Sequence, residues 1–316
     1  MFITLKRTYI QSFYWYGNNI KSFSMGGTTG PVVTTDKLNY STDAITALTS
    51  ANLPAARAQQ TSGGGRYWGY AIGGIDTTDT SQTSAAKITY SNDVNSSNAS
   101  AALPAARSSI KGASYYTALY SYGGNSATNS NDQTAAYKTV LSNDTTSTVS
   151  SADLTTGRSN GGTASSDSFS VFLGGFRNTF TTFVSQTLAD KMPFATETTA
   201  NNTSLALPVA RGWNSYGSIN GPITSRGYLT GTAGTYNIQT WMRINYSTDT
   251  CTNLSAAYDV VISQASGHSS QTAGYSLGGY SATQVSNAYK LTFSNDTLNT
   301  NIDFKTIAKG QCCGVG

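Results

Sequence analysis

Charged residues are scarce in this chain. Asp, Glu, Lys and Arg make up 11% of its 316 residues, whereas ordinary globular domains contain roughly 25%. Small polar residues take their place, and in a chain without pattern such a composition would indicate disorder. Here aromatic and aliphatic residues recur at regular positions, so the composition indicates a folded protein with many polar turns.

Cysteine and histidine are also rare, and their scarcity excludes several kinds of site. The three cysteines, Cys251, Cys312 and Cys313, are odd in number and lack framework spacing, which favours free thiols over disulfides. A cross-link between chains through Cys312 and Cys313 is the alternative. His268 is the only histidine, which argues against zinc sites of clustered Cys and His and favours a structural role for this side chain over a catalytic one.

Long apolar runs are missing as well. No apolar stretch of signal-peptide type follows Lys6 and Arg7, and no window approaches the ~20 apolar residues of a membrane span. The sequence therefore predicts a protein with no membrane span that is made in a cytoplasm, and that either stays there or leaves the cell by a route other than a secretion signal.

What the chain has in abundance is an internal repeat. The string Tyr-Ser-Asn-Asp, beginning at Tyr90, leads to Leu-Pro-Ala-Ala-Arg, ending at Arg107. A Gly pair stands between one such Arg and the next acidic turn. The second glycines are Gly27, Gly74, Gly124, Gly175 and Gly279, and in the fifth copy only Gly231 remains. A recurrence about every 50 residues is typical of the blades of a β-propeller.

Each repeat predicts four short strands. Alternating apolar residues such as Tyr70 and Ile72 precede the Gly pair and predict a second strand with one packed side. The third strand opens with a basic residue in all six copies: Lys37, Lys87, Lys138, Lys191, Arg243 and Lys290. Ser-Asn-Asp supplies a turn, and the fourth strand ends before Leu-Pro, because proline cannot donate to a strand ladder.

The Gly pair, the aromatic and acidic turn, and the Pro-x-x-Arg ending together resemble the kelch repeat, over about residues 7–309. The usual Trp of the fourth strand is missing. This resemblance implies one all-β domain over residues 1–316, a six-bladed kelch-like β-propeller with four antiparallel strands per blade and a short C-terminal tail at 306–316. Copy one would begin with a strand at 8–16, and copy six would end near 301–305. The wording of the repeat is similar to kelch-like virion structural proteins of tailed bacteriophages, notably marine and cyanobacterial ones.

Two series of repeated residues are predicted to be structural. Arg57, Arg107, Arg158 and Arg211 are expected in similar buried positions, bridging neighbouring blades through backbone carbonyl groups. An anion-binding channel lined by them is the alternative. Gly74, Gly124, Gly175 and Gly279 are expected where a Cβ would be forbidden. Because most Lys and Arg residues occupy repeated positions, their charge is spread around a ring, which argues against nucleic-acid binding.

Catalytic and metal-binding patterns are weak. Acidic residues recur in the repeated turns, among them Asp43, Asp93 and Asp144, and the others do not indicate a pair of catalytic carboxylates. Asp76 and Asp79 lack the spacing of a known calcium loop, which favours a solvated loop. We therefore predict a non-enzymatic protein without a cofactor or a bound metal.

The loops after the Gly pairs differ between copies, as a position-specific contact requires. The longest contains Phe176, Phe180 and Phe183, which we expect to be exposed and to bind a partner. The alternative is that Phe180 and Phe183 extend a strand. Aromatic residues near the first-strand turns, such as Tyr67 and Tyr116, fit either a contact surface or packing between blades.

The sequence thus predicts a tail-, fibre- or head-attached virion protein, present in multiple copies. Its predicted partners are other virion proteins and a host-surface glycan or receptor, and its predicted location is the virion. A cytoplasmic kelch-type interaction scaffold and a carbohydrate-binding propeller are the alternatives.

Overall fold

The computed structural model describes residues 20–27, 31–126, 132–178, 183–212, 219–220, 225–230, 240–259, 262–281, 283–302, 308, 311 and 313–315. Within them the chain forms six four-stranded antiparallel sheets arranged in a ring, which is a six-bladed β-propeller. The all-β fold and the blade number predicted from the repeat are confirmed. The helices in the described residues are single 3-10 turns: η1 (Thr49–Ala51), η2 (Ala99–Ala101), η3 (Ser150–Ala152) and η4 (Thr203–Leu205).

The strands follow the predicted order along the chain. The first copies contain β1 (Lys21–Met25), β2 (Thr35–Asn39), β3 (Ala44–Ala47), β4 (Thr61–Gly64), β5 (Trp68–Ile72), β6 (Ala85–Thr89) and β7 (Val94–Ser97). The middle copies contain β8 (Arg107–Ser108), β9 (Lys111–Ser114), β10 (Ala118–Tyr122), β11 (Asn125–Ser126), β12 (Ala136–Val140), β13 (Thr145–Thr148), β14 (Gly162–Ser165), β15 (Phe169–Leu173), β16 (Phe176–Asn178), β17 (Phe183–Ser185), β18 (Ala189–Pro193) and β19 (Ala200–Asn201). The last copies contain β20 (Ile219–Asn220), β21 (Arg226–Leu229), β22 (Thr240–Asn245), β23 (Thr250–Ala257), β24 (Ser266–Ser269), β25 (Ala273–Leu277), β26 (Tyr280–Ser281), β27 (Thr283–Gln284), β28 (Ala288–Thr292), β29 (Thr297–Ile302) and β30 (Cys313–Val315).

Each blade runs from an inner to an outer strand. Blades two to six are β4-β5-β6-β7, β9-β10-β12-β13, β14-β15-β18-β19, β20-β21-β22-β23 and β24-β25-β28-β29, and blade one is β30-β1-β2-β3. The inner strands contact one another in the order β30, β4, β9, β14, β20, β24 and back to β30. The remaining pairs, β8-β11, β16-β17 and β26-β27, are short two-stranded ribbons.

The C-terminal segment closes the ring. Residues 8–16, the expected first strand, lie outside the described residues, and the inner place of blade one is taken by β30, which pairs with β1. The C-terminal residues expected to be a tail therefore include a buried strand. The backbone explains the placement: the N–H of Gln311 donates to the Gln264 carbonyl (2.9 Å), and the Gln311 carbonyl accepts from Gln59 (3.1 Å).

This backbone link repeats from blade to blade. The N–H of Ser109 donates to the Gln59 carbonyl (2.9 Å), and that of Asn160 to the Ser109 carbonyl (3.1 Å). These residues, with Gln264 and Gln311, all have positive φ angles between 53° and 58°. Gln311 has the same backbone conformation as these residues and bonds to the equivalent residues of the two neighbouring blades. The C-terminal segment therefore enters blade one in the way that an inner strand enters the other blades.

The hydrophobic core lies between blades. Its six clusters each join the second strand of one blade to the next blade, as Phe23 and Met25 of blade one meet Ile88 and Tyr90 of blade two. Both sides of a second strand are consequently buried, and in β10 this includes Ser121 as well as Tyr120. The period of two in the sequence reflects large and small residues on opposite packed sides, and the prediction of one packed side is wrong.

The Gly pairs form a repeated joint with the Arg that ends the same copy. The N–H of Gly74 donates to the Arg107 carbonyl (2.8 Å). A Cβ on Gly73 (φ 69°) would lie 2.8 Å from that oxygen and 3.1 Å from Leu103, so both the torsion and the close approach require glycine. Gly124, Gly175 and Gly279 also have positive φ, whereas Gly231 lies outside the described residues.

Candidate functional site

The propeller has two unlike faces. One, the turn face, carries the connection from each inner strand to the second strand and the Ser-Asn-Asp turn, which meet where the Tyr90 N–H donates to the Tyr67 carbonyl (2.9 Å). The other, the glycine face, carries the Gly pairs, the loops after them and the Leu-Pro connections. Successive strands of an antiparallel sheet run in opposite directions, so the connections between them lie alternately on the turn face and on the glycine face.

Six ion pairs circle the turn face. The basic residue of each third strand lies in the middle of that strand, two or three residues after its first residue, and not at the predicted opening position. It reaches the acidic turn of the following blade, and the sixth pair returns from blade six to blade one. The pairs are Lys37–Asp93, Lys87–Asp144, Lys138–Glu197, Lys191–Asp249, Arg243–Asp296 and Lys290–Asp43, at 2.5 to 2.7 Å. The basic residues of the third strands and the acidic residues of the repeated turns therefore form ion pairs that join neighbouring blades.

A tyrosine opposite the basic residue strengthens this joint in four blades. Tyr70 lies across from Lys87 in the sheet, and both donate to Asp144, as does Asn98 (2.8 Å). Burial alone would raise the pKa of Asp144, but the three donors outweigh it and hold that pKa below its usual value. The lowered pKa keeps the Asp144 carboxylate ionised, which makes it poorly suited to proton transfer.

The motif also packs its aromatic residue on the same neighbour. The Tyr90 ring stacks on Phe23 of the preceding blade at 5.9 Å, and Phe293 stacks on Tyr228 at 5.1 Å. Both ends of Tyr-Ser-Asn-Asp thus engage the preceding blade, which explains why the string repeats as a unit.

The arginine series follows the prediction at three of four positions. Arg57, Arg158 and Arg211 are buried. The Arg57 guanidinium donates to the Ser84 carbonyl of the next blade (2.6 Å), that of Arg158 donates to Leu188 (2.9 Å), and that of Arg211 donates to Thr240 (2.9 Å). Three arginines therefore bridge blades through carbonyl oxygens, as expected.

Arg107 departs from the series. It is half-buried, donates to the neighbouring Ala106 carbonyl (2.9 Å) and lies over the Tyr137 ring at 5.8 Å. Tyr137 takes the place that Ala86 has in blade two and Asp190 in blade four. A bulky ring at this position accounts for the different path of the Arg107 guanidinium. The prediction that Arg107 occupies the same buried position as the other three arginines is therefore wrong.

Other candidate residues take structural places. His268 is buried, and its Nε2 lies 2.9 Å from Ser266 Oγ. Burial lowers the pKa of His268 to about 3, so the ring is neutral. The Asp76 carboxylate accepts hydrogen bonds from the Thr78 and Thr80 backbone (2.9 and 3.1 Å), as in an Asx turn. No cluster of acidic, His or Cys side chains that could hold a metal occurs among the described residues.

The two described cysteines are buried and in no disulfide. Burial raises the pKa of the Cys251 thiol to about 12, so it stays protonated. Cys312 lies outside the described residues.

Phe176, the first of the three phenylalanines of the predicted contact, is buried. Phe176 is only 4% exposed, because its ring fills the space left by Gly212, where a Cβ would overlap it. Phe183 is placed in a hairpin opposite Asn178, and Phe180 lies outside the described residues. The prediction that Phe176 is exposed is wrong, and a buried Phe176 cannot contribute to the contact predicted for this loop.

An apolar arc is found instead on the turn face. Ile20, Tyr67 and Tyr116 are 65%, 61% and 46% exposed. Ile20 directly precedes β1 in blade one, and Tyr67 and Tyr116 lie in the connections from the inner to the second strand of blades two and three. Exposed Arg66 lies over the Tyr67 ring at 5.7 Å. We call these four residues the turn-face arc.

The arc breaks the symmetry of the ring. The corresponding connections of blades four and six carry the exposed polar residues Asp167, Ser168, Gln271 and Thr272. Tyr67 and Tyr116 belong to the aromatic residues for which the sequence left contact and packing open, and exposure favours contact. Ile20 was missed because a single aliphatic residue in a loop has no pattern.

No protein-family model and no curated protein sequence matches the chain. Among the described residues, no helix is long and apolar enough to cross a membrane.

Proposed function

We propose that this protein is a non-enzymatic structural component of a bacteriophage particle, and that it contacts other virion proteins through the turn-face arc. The observation that carries the proposal is the asymmetry of that arc. Three consecutive blades present large apolar side chains, while two of the other three present short polar ones. A six-fold ring needs such differences between blades to hold one partner in one orientation.

The chemistry of the arc suits protein contacts. Tyr and Arg dominate the energetics of protein interfaces, because they offer large rigid area with a polar tip. The surrounding charges are already paired within the ring, as Lys87 is with Asp144. Apart from Arg66, the arc therefore offers apolar contact beside charges that are paired where the structure describes them, as Lys21 is with Asp93. The assignment to a phage particle rests on the likeness of the repeat to kelch-like virion proteins.

A substitution on the arc tests this function. We expect a variant with Ile20→Ser, Tyr67→Ser and Tyr116→Ser to fold normally, because these side chains are exposed, and to be lost from purified phage particles. The control variant carries Ser168→Ala and Thr272→Ala at corresponding positions of blades four and six. Quantitative mass spectrometry of particles measures incorporation, and far-UV circular dichroism checks folding.

Incorporation of the arc variant at the unsubstituted level would contradict the proposal. Glycan-array binding that depends on Tyr67 and Tyr116, with incorporation unchanged, would instead favour the carbohydrate-binding propeller. Recovery with soluble host proteins and absence from particles would favour the cytoplasmic scaffold.

A further inference from the structure

We propose that a calcium ion binds where blades three and four meet on the glycine face, held by side-chain oxygens of Asn125, Asp132 and Ser159. The inference departs from the sequence prediction, which expected no bound metal. It concerns the junction between these two blades, and it stands whether or not the proposed contact function is correct.

The three residues are neighbours in the short antiparallel pairings of the glycine face. Asn125 is paired with Asp132, and the Ser159 hydroxyl lies beside the Asp132 carboxylate. Residues directly opposite each other in antiparallel strands have Cβ atoms about 4.5–5.5 Å apart on one side of the sheet. Calcium binds oxygen at about 2.3–2.6 Å, so one ion can reach the side chains of such neighbours.

Each of the three residues has an oxygen atom that is buried and makes no hydrogen bond. These atoms are Asn125 Oδ1, Asp132 Oδ1 and Ser159 Oγ. The Ser159 residue as a whole is 1% exposed. The other carboxylate oxygen, Asp132 Oδ2, accepts from the Asn178 backbone N–H. A buried acceptor without a partner is unfavourable, so three of them side by side form a place suited to a positively charged ligand.

The neighbouring blades carry different side chains at these places. Where blade three has Asn125, blades two and four have the buried apolar residues Ile75 and Phe176. Where blade three has Asp132, blade two has Ser81, whose hydroxyl already makes a hydrogen bond. The group of oxygens is therefore a particular feature of blade three and does not follow from the repeat.

The chemistry of these ligands favours calcium. Carboxylate, amide and hydroxyl oxygens are hard ligands, and calcium accepts six to eight of them in irregular geometry, water included, whereas magnesium requires a near-ideal octahedron. Burial raises the pKa of Asp132, and no described Lys or Arg side chain forms an ion pair with it. A cation would supply the opposite charge that a buried carboxylate needs. A single carboxylate predicts modest affinity, with a Kd of about 0.1–1 mM, as in extracellular calcium modules.

Calorimetric titration of calcium chloride into the full chain, after treatment with EDTA and its removal, tests the site. We expect one ion per chain. Asp132→Asn keeps the size of the side chain and an acceptor for the Asn178 N–H but removes the charge, so it should weaken binding by at least about tenfold. The matched control is Ser81→Ala at the corresponding position of blade two, where the hydroxyl bonds to Ser108 (3.1 Å). It should bind calcium as the unsubstituted chain does.

Thermal unfolding gives a second readout. A ligand of the folded state raises the midpoint by mass action, so calcium from about 0.1 to 10 mM should raise it for the unsubstituted chain and for Ser81→Ala, but not for Asp132→Asn. In EDTA the Asp132→Asn chain should be at least as stable as the unsubstituted one, because a buried charge is removed. Lost binding is then distinct from lost folding.

Three results would overturn the proposal. The first is no calcium binding by the unsubstituted chain up to about 10 mM. The second is binding by Asp132→Asn with the same affinity as the control, which would place the ion elsewhere. The third is magnesium binding with the same affinity as calcium, which would contradict the assignment of this ion.

Discussion

Two sets of cationic residues join neighbouring blades, and they differ in regularity. The pairs of the turn face occur at all six junctions, and their side chains remain partly exposed. The arginines of the glycine face are more deeply buried, but Arg107 takes another path, and Arg158 also meets a carboxylate, Asp190. The more exposed set repeats without exception, and the more buried set varies.

Solvation accounts for the difference. A partly exposed ion pair needs no particular surroundings, because water screens it and satisfies its remaining hydrogen-bonding groups. A buried guanidinium must find a partner for each donor, so its geometry depends on neighbours such as Tyr137 or Asp190. The regular set therefore repeats one contact at every junction, whereas we expect the irregular set to make the larger and more local contribution to stability.

The largest expected effect is at the buried pair. Arg158→Ala leaves Asp190 buried without its cation, which should lower the free energy of unfolding by about 3–5 kcal/mol. Arg107→Ala is the matched control, with an expected loss of about 1 kcal/mol, since its guanidinium makes one described hydrogen bond. Urea unfolding measures both. Equal losses of unfolding free energy in the two variants would contradict the distinction between the buried Arg158 and the half-buried Arg107.

The buried, neutral His268 should make the stability of the protein depend on pH. His268 has a folded pKa of about 3, below the unfolded value of about 6.5. The unfolded chain therefore binds more protons between these values, so stability is complete above pH 6.5 and falls as the pH drops towards 3. We expect about 2 kcal/mol to be lost between pH 7 and pH 5, at roughly 1.4 kcal/mol per unit.

His268→Gln should flatten that slope, as measured by urea unfolding at each pH. Above pH 5 the turn-face carboxylates contribute little, because the lowered pKa values of Asp93, Asp144 and Glu197 place their loss of stability below about pH 4. An unchanged slope in the variant would show that His268 is not the titrating group.

The smallest expected effect is at a single ion pair of the turn face. Lys87→Met keeps the apolar stem and removes the charge opposite Asp144, which still accepts from Tyr70 and Asn98. The expected loss is below about 1 kcal/mol and should shrink as salt is added. Unfolding in low and high salt measures it, and a large loss that salt does not change would contradict the solvation argument.

The parts of the fold that follow local chemistry could be predicted from the sequence. The Gly pairs and strand order repeat because each copy has the same turn and the same close approach. The partner of a charge could not be predicted, because Lys87 and Asp144 are separated by 57 residues and by a blade boundary. Phe176 was misplaced because its burial depends on the missing side chain of Gly212. Ring closure could not be predicted, because the pairing of β30 with β1 joins strands from opposite ends of the chain.

The central claim is that the basic residue of one blade pairs with the acidic turn of the next blade and not with its own. A double-mutant cycle of Lys87→Met with Asp144→Asn, beside a cycle of Lys87→Met with Asp93→Asn, tests this most directly. The account predicts a coupling free energy of about 0.5–1 kcal/mol for Lys87 with Asp144 and none for Lys87 with Asp93. Coupling to Asp93 with none to Asp144 would contradict it.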